Sequence, residues 1–305
     1  MVVSSLKGGV GTMRRFVVAA AAAVVLSGGI AACGSSGSGG SGSSGTPSAS
    51  ATSCTKAGIS HLLYKPGVLT VATDTPAYTP WFQNNTPSNG KGYESAVAYA
   101  VAKQLGFSPS EVTWVHEPFN SVYAPGPKAF DFDINEVSYT PQRGQEVTFS
   151  NSYYPVQQAI VALKGSPIVT KHSPAQLKTY LYGDQIGTTG LTYINSDIQP
   201  SQTPKVFNTL SLAVSALQAH RVDALVVDTP DAQYMASPSS GEVKHGVLVA
   251  QFPSVGEHYG LVLAKGNKLV TCVNKALATL TSNGTLAALQ HQWLGIYLNF
   301  PTIKP

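Results

Sequence analysis

Arginine is scarce in this chain: 15 lysines stand against 4 arginines, and only Arg143 and Arg221 lie beyond residue 33. Lysine is a mobile, strongly hydrated point charge. Arginine presents a planar fork that meets a carboxylate or phosphate with two parallel hydrogen bonds. Arg143 ends the acidic and aromatic run Asp131-Phe-Asp-Ile-Asn-Glu-Val-Ser-Tyr-Thr-Pro-Gln-Arg143. Composition alone also allows a surface ion pair with Asp or Glu, so the surroundings of Arg143 must decide. Catalytic patterns are missing: the sequence has no H-E-x-x-H, C-x-x-C or G-x-S-x-G and no complete phosphate-binding loop. The seven histidines (61, 116, 172, 220, 245, 258 and 291) show no ligand spacing. No metal or cofactor is expected, and nothing assembles a nucleophile. Binding is the reading.

Residues 1–33 read as an export signal. Arg14-Arg15 form its basic region, Phe16–Leu26 is an unbroken apolar run of 11 residues, and small residues follow to Cys33. The run is too short to span a bilayer and has signal-peptide flanks. Ile30-Ala-Ala-Cys33 resembles a bacterial lipobox, which implies cleavage before Cys33 and a lipid anchor on its thiol. An ordinary cleavage site that leaves a free cysteine is the alternative. Met13 directly precedes the basic region, so either Met1 or Met13 could be the start. Residues 34–53 hold only Gly, Ser, Thr, Ala and one Pro. They form a flexible tether with a root-mean-square span of roughly 25 Å. Cleavage takes Lys7, Arg14 and Arg15 from 19 basic residues and removes no acid, leaving 16 against 15. A balance so close to neutral argues against a nucleic-acid partner. Cys54 and Cys272 then bracket the folded region in an oxidising compartment and are the natural disulfide pair, with two free thiols as the alternative.

The elements that must position Arg143 alternate. Strand-like runs lie at Val68–Ala72, Val112–Val115, Ala159–Leu163, Lys205–Phe207, Ala224–Val227 and Tyr259–Ala264. Helical patterns lie at Glu94–Leu105, Ala175–Tyr182, Leu212–His220, Leu269–Ser282 and Leu286–Leu294. Such alternation predicts α/β layers with largely parallel sheets.

Four stretches, in order, resemble the family 3 extracellular solute-binding proteins, the amino-acid-binding subunits of ABC importers. They are Thr73-Asp-Thr-Pro-Ala-Tyr78-Thr-Pro-Trp81; Gly92-Tyr-Glu94; Ser138-Tyr-Thr-Pro-Gln-Arg143 with Phe149-Ser-Asn-Ser-Tyr-Tyr154; and Arg221-Val-Asp-Ala-Leu-Val-Val-Asp228. The resemblance implies a type II periplasmic-binding fold, two α/β lobes joined by two hinge crossings with a ligand cleft between them. Lobe I would comprise residues 54–154 and 259–305, lobe II residues 159–252, with crossings near Pro155–Gln158 and Pro253–His258. It also implies that Arg143 grips the ligand's α-carboxylate, helped by the Ser138 hydroxyl and the Thr189 amide at a helix start. Asp228 would accept the α-ammonium, and Tyr78 and Phe119 would sandwich the side chain, with Trp81 and Asp74 close by. A zwitterion entering a closed cleft loses its hydration, so each charge needs an opposite partner. Arg143 and Asp228, in different lobes, would supply them.

Three positions depart from the family. Ala96 stands where a second acid usually follows Gly92. Glu136 stands where many relatives have a small residue, so it either faces away or adds negative charge to the pocket. Ala124-Pro-Gly-Pro127 interrupts the usual first-lobe helix. The resulting expectation is a monomeric, lipid-anchored receptor that delivers a polar amino acid to an ABC permease outside the cytoplasm. The rivals are a cyclohexadienyl dehydratase-like enzyme, with Glu136 as its acid, and a sensory receptor.

Overall fold

The computed structural model describes residues 53–238, 240, 242–295 and 302–303. The export signal, Cys33 and all of the tether except Ser53 lie outside the described residues.

Two five-stranded sheets organise the chain. The first has the order β2-β1-β3-β10-β4, built from β1 Leu69–Thr73, β2 Val112–His116, β3 Phe132–Asp133, β4 Thr148–Pro155 and β10 His258–Leu263. The second has the order β7-β6-β8-β5-β9, built from β5 Gln158–Leu163, β6 Tyr182–Gln185, β7 Lys205–Phe207, β8 Ala224–Asp228 and β9 Gly246–Gln251. In the first sheet β1 runs parallel to β2 and β3, while β10 is antiparallel to β3 and β4. In the second, β6 is parallel to β7 and β8, and β5 is antiparallel to β8 and β9. The chain leaves the first sheet at the end of β4, enters the second at β5, and returns between β9 and β10. Each sheet belongs to one lobe, and both crossings pass between them.

The central strands are buried on both faces. All five residues of β1 are inaccessible, as are five of the six residues of β10. Strands covered by helices on both sides read as continuous apolar runs, not alternating ones. The best-defined helix in the sequence is α9, Leu269–Ser282. It buries Leu269, Cys272, Val273, Ala276, Leu277 and Leu280, a spacing of three and four that keeps one stripe on the first sheet. Each fully buried Leu or Val on that stripe contributes roughly 1.5–3 kcal/mol. Cys272 bonds Cys54 across a sequence separation of 218, with Cα atoms 5.2 Å apart, so the start of the folded region is tied to α9. Among the described residues, no helix is long and apolar enough to cross a membrane.

One expected helix is shorter than its pattern suggests. Over Ala175–Tyr182 the structure has a single turn, α5 Pro174–Leu177, and Tyr182 already pairs with Ala224 as the start of β6. Tyr182 is fully buried. Its ring is anchored by its hydroxyl donating to the Leu177 carbonyl at 3.1 Å, and this contact turns the chain from helix to strand.

Candidate ligand cleft

The site forms where the parallel strands end. Asp74 follows β1, Asn135 and Glu136 follow β3, Gly187 to Gly190 follow β6, and Asp228 closes β8. Loops at the carboxyl ends of parallel strands are the usual ligand sites of α/β layers, because helix starts and side chains converge there. The resulting cleft encloses about 620 Å³, counting its open side. Asp74, Tyr78, Phe119, Glu136, Arg143, Gln158, Thr189, Asp228 and Asp231 line it.

Arg143 sits in α4, Pro141–Glu146, a short helix capped by Thr140, whose hydroxyl accepts from the Arg143 amide at 3.1 Å. Arg143 is 8% exposed. One arm donates to the Ser138 carbonyl at 2.6 Å, and the other reaches the second lobe, donating to the Gly187 carbonyl at 2.7 Å. The Tyr123 ring covers it at 4.3 Å and Phe119 lies 5.5 Å away, a cation–π seat that shields the charge from water. Burial lowers the Arg143 pKa against the opposing pull of Tyr123, Glu257 and Asp228. Gly187 holds φ +80, and a Cβ there would lie 2.4 Å from both Asn120 Oδ1 and Tyr123 Oη. Only glycine permits this approach between the lobes.

On the facing lobe, Asp228 occupies the N-cap position of α8, Thr229–Ala236, without a capping hydrogen bond from its side chain. Its carboxylate instead accepts from Gln158 Nε2. Asp231 lies one turn further on and is 4% exposed. Its Oδ1 accepts the Trp81 indole N–H at 2.8 Å. Glu136 faces the cleft from the first lobe. Oxygens of Glu136, Asp228 and Asp231 all lie within 4.8 Å of one another, the one group of acids among the described residues close enough to share a cation. Burial pushes the pKa values of Glu136 and Asp228 well above the carboxylate range. Burial also lifts Asp231 to about 6, against the lowering effect of neighbouring Glu136 and the Trp81 donor.

Glu136 adopts the left-handed conformation, φ +54. Its amide donates to Glu94 Oε1 at 2.7 Å, and the Tyr153 hydroxyl donates to the same oxygen. Glu94 is fully buried in the first turn of α2, Tyr93–Gln104, and burial raises its pKa to about 8. Glu94 thus holds the turn that aims Glu136 inward. The question left by the sequence is decided: Glu136 adds an acid to the pocket.

Other expected residues sit differently. Trp81 is not on the cleft wall. It is fully buried and edge-on to Tyr93, Tyr154 and Tyr259, with centroids 5.3–6.1 Å apart, because an indole of that size fills the core beneath the site. Ser138 is not on the cleft wall, and its hydroxyl donates to Glu257 at 2.6 Å, on the crossing between β9 and β10. Thr189 is the first residue of α6, Thr189–Tyr193, where amides lack intrahelical acceptors, and its hydroxyl accepts from Gln158 at 3.1 Å. Tyr78 meets Ser211 of the second lobe at 2.8 Å between hydroxyl oxygens. Asp74 is already engaged by the Thr75 and Phe119 amides at 2.6 and 3.2 Å and by His116 at 3.2 Å. Arg221 is exposed and outside the site. Sequence reasoning missed Tyr123, Gln158 and Asp231. Asp231 had a signal: Asp228-Thr-Pro-Asp231 places two acids three apart at a Pro-started helix, on one face.

Residues 69–296 match the model of the bacterial extracellular solute-binding proteins, family 3. Among similar proteins, an arginine-binding periplasmic protein of Mannheimia haemolytica is 27% identical over 222 residues, covering 72% of this chain and 89% of the relative. A lysine/arginine/ornithine-binding periplasmic protein of Escherichia coli is 28% identical over 227 residues, covering 72% and 85%. The solved structure of an ancestral arginine-binding protein bound to arginine superposes with a TM-score of 0.62 at 29% identity, covering 75% of this chain and 99% of that one. The two-lobed α/β architecture is that of the type II periplasmic-binding fold. The family match runs from the start of β1 to just past α10, Thr285–Leu294, and so spans both sheets and both crossings; the chain belongs to the family 3 bacterial extracellular solute-binding proteins.

Proposed function

We propose that the cleft captures an amino acid with a cationic side chain and delivers it to the membrane subunits of an ABC importer. The observation that carries this is charge. One guanidinium, Arg143, faces five acids on the cleft wall: Asp74, Glu136, Asp184, Asp228 and Asp231. An ordinary zwitterion would pair Arg143 with its carboxylate and Asp228 with its ammonium, and the remaining buried acids could ionise only as uncompensated charges. A second positive charge on the ligand compensates them. The arginine- and lysine/arginine/ornithine-binding relatives point to the same ligand class. Contacts between the lobes, from Arg143 to Gly187, from Trp81 to Asp231 and from Tyr78 to Ser211, support a trap that closes on its ligand.

The folded region would act as a monomer on the tether of residues 34–53, held to the membrane through Cys33. Electrostatics weigh against the dehydratase reading. Its substrate, prephenate, carries two carboxylates, which would enter a cleft whose wall already holds five acids. A thermal-shift panel of the twenty amino acids with prephenate, read alongside native mass spectrometry, tests the proposal. A basic amino acid at 100 times its dissociation constant should add about 2.7 kcal/mol. Stabilisation by prephenate with release of CO₂, and none by basic amino acids, would replace the receptor with the enzyme.

A further inference from the structure

The second positive charge has a specific place to go. Three carboxyls, Glu136, Asp228 and Asp231, crowd one end of the cleft with oxygens within 4.8 Å of each other. A fourth acceptor belongs to the same cleft wall. Gln158 is 1% exposed, its amide nitrogen is committed to Asp228, and its Oε1 is buried on the cleft wall without a hydrogen-bond partner. An ammonium has three N–H donors. A single α-ammonium on Asp228 therefore cannot satisfy all four groups, and each acceptor left desolvated and unpaired is costly. Asp74, by contrast, already takes two backbone amides and the His116 ring, which spread and offset its charge. Acids without a cationic partner therefore crowd together beside the α-ammonium receiver.

Resting on the amino-acid reading above, we propose that the second cation of the ligand sits next to its α-ammonium, so that the preferred ligand is a short diamino acid of the 2,4-diaminobutyrate class. In such a molecule three carbons separate the nitrogens, and both reach the trio while the carboxylate meets Arg143. Lysine or arginine places its second charge well away from the α-nitrogen, leaving Glu136 and Asp231 uncompensated.

The test is calorimetric titration of the tag-free mature protein with 2,4-diaminobutyrate, 2,3-diaminopropionate, ornithine, lysine, arginine, 2-aminobutyrate and calcium chloride. 2-Aminobutyrate has the same carbon skeleton without the second ammonium. We expect 2,4-diaminobutyrate to bind at least about tenfold tighter than lysine or arginine, and about a hundredfold tighter than 2-aminobutyrate, the range set by hydrogen bonds to charged groups. In Glu136→Gln the ratio between 2,4-diaminobutyrate and 2-aminobutyrate should shrink about tenfold. Tighter binding of arginine or lysine would overturn this inference and leave the basic-amino-acid reading standing. An unchanged ratio in Glu136→Gln would also overturn it. Calcium alone binding at micromolar concentration would make the trio a metal site instead. Binding of no amino acid at all would remove the amino-acid reading itself.

Discussion

The Trp81 indole and the Asp231 carboxylate, 150 residues apart in sequence, meet at 2.8 Å across the two lobes. A residue of the first lobe's aromatic core thus props a cleft acid carried by the second. Trp81→Phe keeps most of the packing and removes the donor. Ligand affinity should fall by about one to two decades, since a buried hydrogen bond to a charged group is worth about 1.5–3 kcal/mol. Unchanged affinity in isothermal titration would mean that Asp231 plays no part in holding ligand.

Arg143→Ala should weaken binding by about 2–5 kcal/mol, because a desolvated carboxylate loses its partner. Arg143→Lys should recover only part of this, since a point charge cannot bridge the Ser138 side and the Gly187 side at once. Solution scattering adds a second readout: ligand should reduce the radius of gyration of the wild type more than that of Arg143→Ala.

Glu136→Gly separates stability from function. The glycine relieves a left-handed backbone, φ +54, and removes one acid from a crowded cleft. The ligand-free protein should gain about 1 kcal/mol from the backbone alone while affinity for a dicationic ligand falls. A loss of thermal stability in the ligand-free variant would contradict this account of the turn that Glu94 holds.

Stability without ligand should decline as pH rises. Burial holds the folded-state pKa near 6 for Asp231, near 7 for Glu242 and near 8 for Glu94, all above their unfolded values near 4. The folded state then keeps protons that the unfolded chain has released. Their stabilising contribution is complete below the unfolded values and is lost as pH climbs through the folded ones. Thermal midpoints should fall between pH 5 and pH 8, and stabilisation by a cationic ligand should grow over the same range as the acids ionise to meet it. Midpoints of ligand-free protein that rise toward pH 8 would refute the assignment.

Reducing the Cys54–Cys272 bond should lower stability by at most about 5 kcal/mol, the chain-entropy limit for a loop of this length. Ligand affinity should change little, because the bond ties the N-terminal segment to α9, away from the cleft. Chemical denaturation with and without reductant measures both effects.

Local pattern carried much of the molecule. The spacing of three and four along Leu269–Ser282 reproduces the bounds of α9, because one apolar stripe must face a sheet. The apolar run Ala224–Val227 marks β8, which Asp228 closes, while Arg143 stands out by the scarcity of its type alone. What local pattern could not carry is partnership over long separations. Ser138 looks like a ligand hydroxyl until Glu257, 119 residues away, is folded against it. Trp81 looks like a cleft aromatic until three tyrosines from other elements enclose it. Glu136 could face either way, and Glu94, 42 residues earlier, aims it inward by taking its amide. Residue type and spacing report which face of an element is buried. Which acid meets which donor depends on how two sheets and two crossings bring distant loops to one end of their strands, and only tertiary packing decides that.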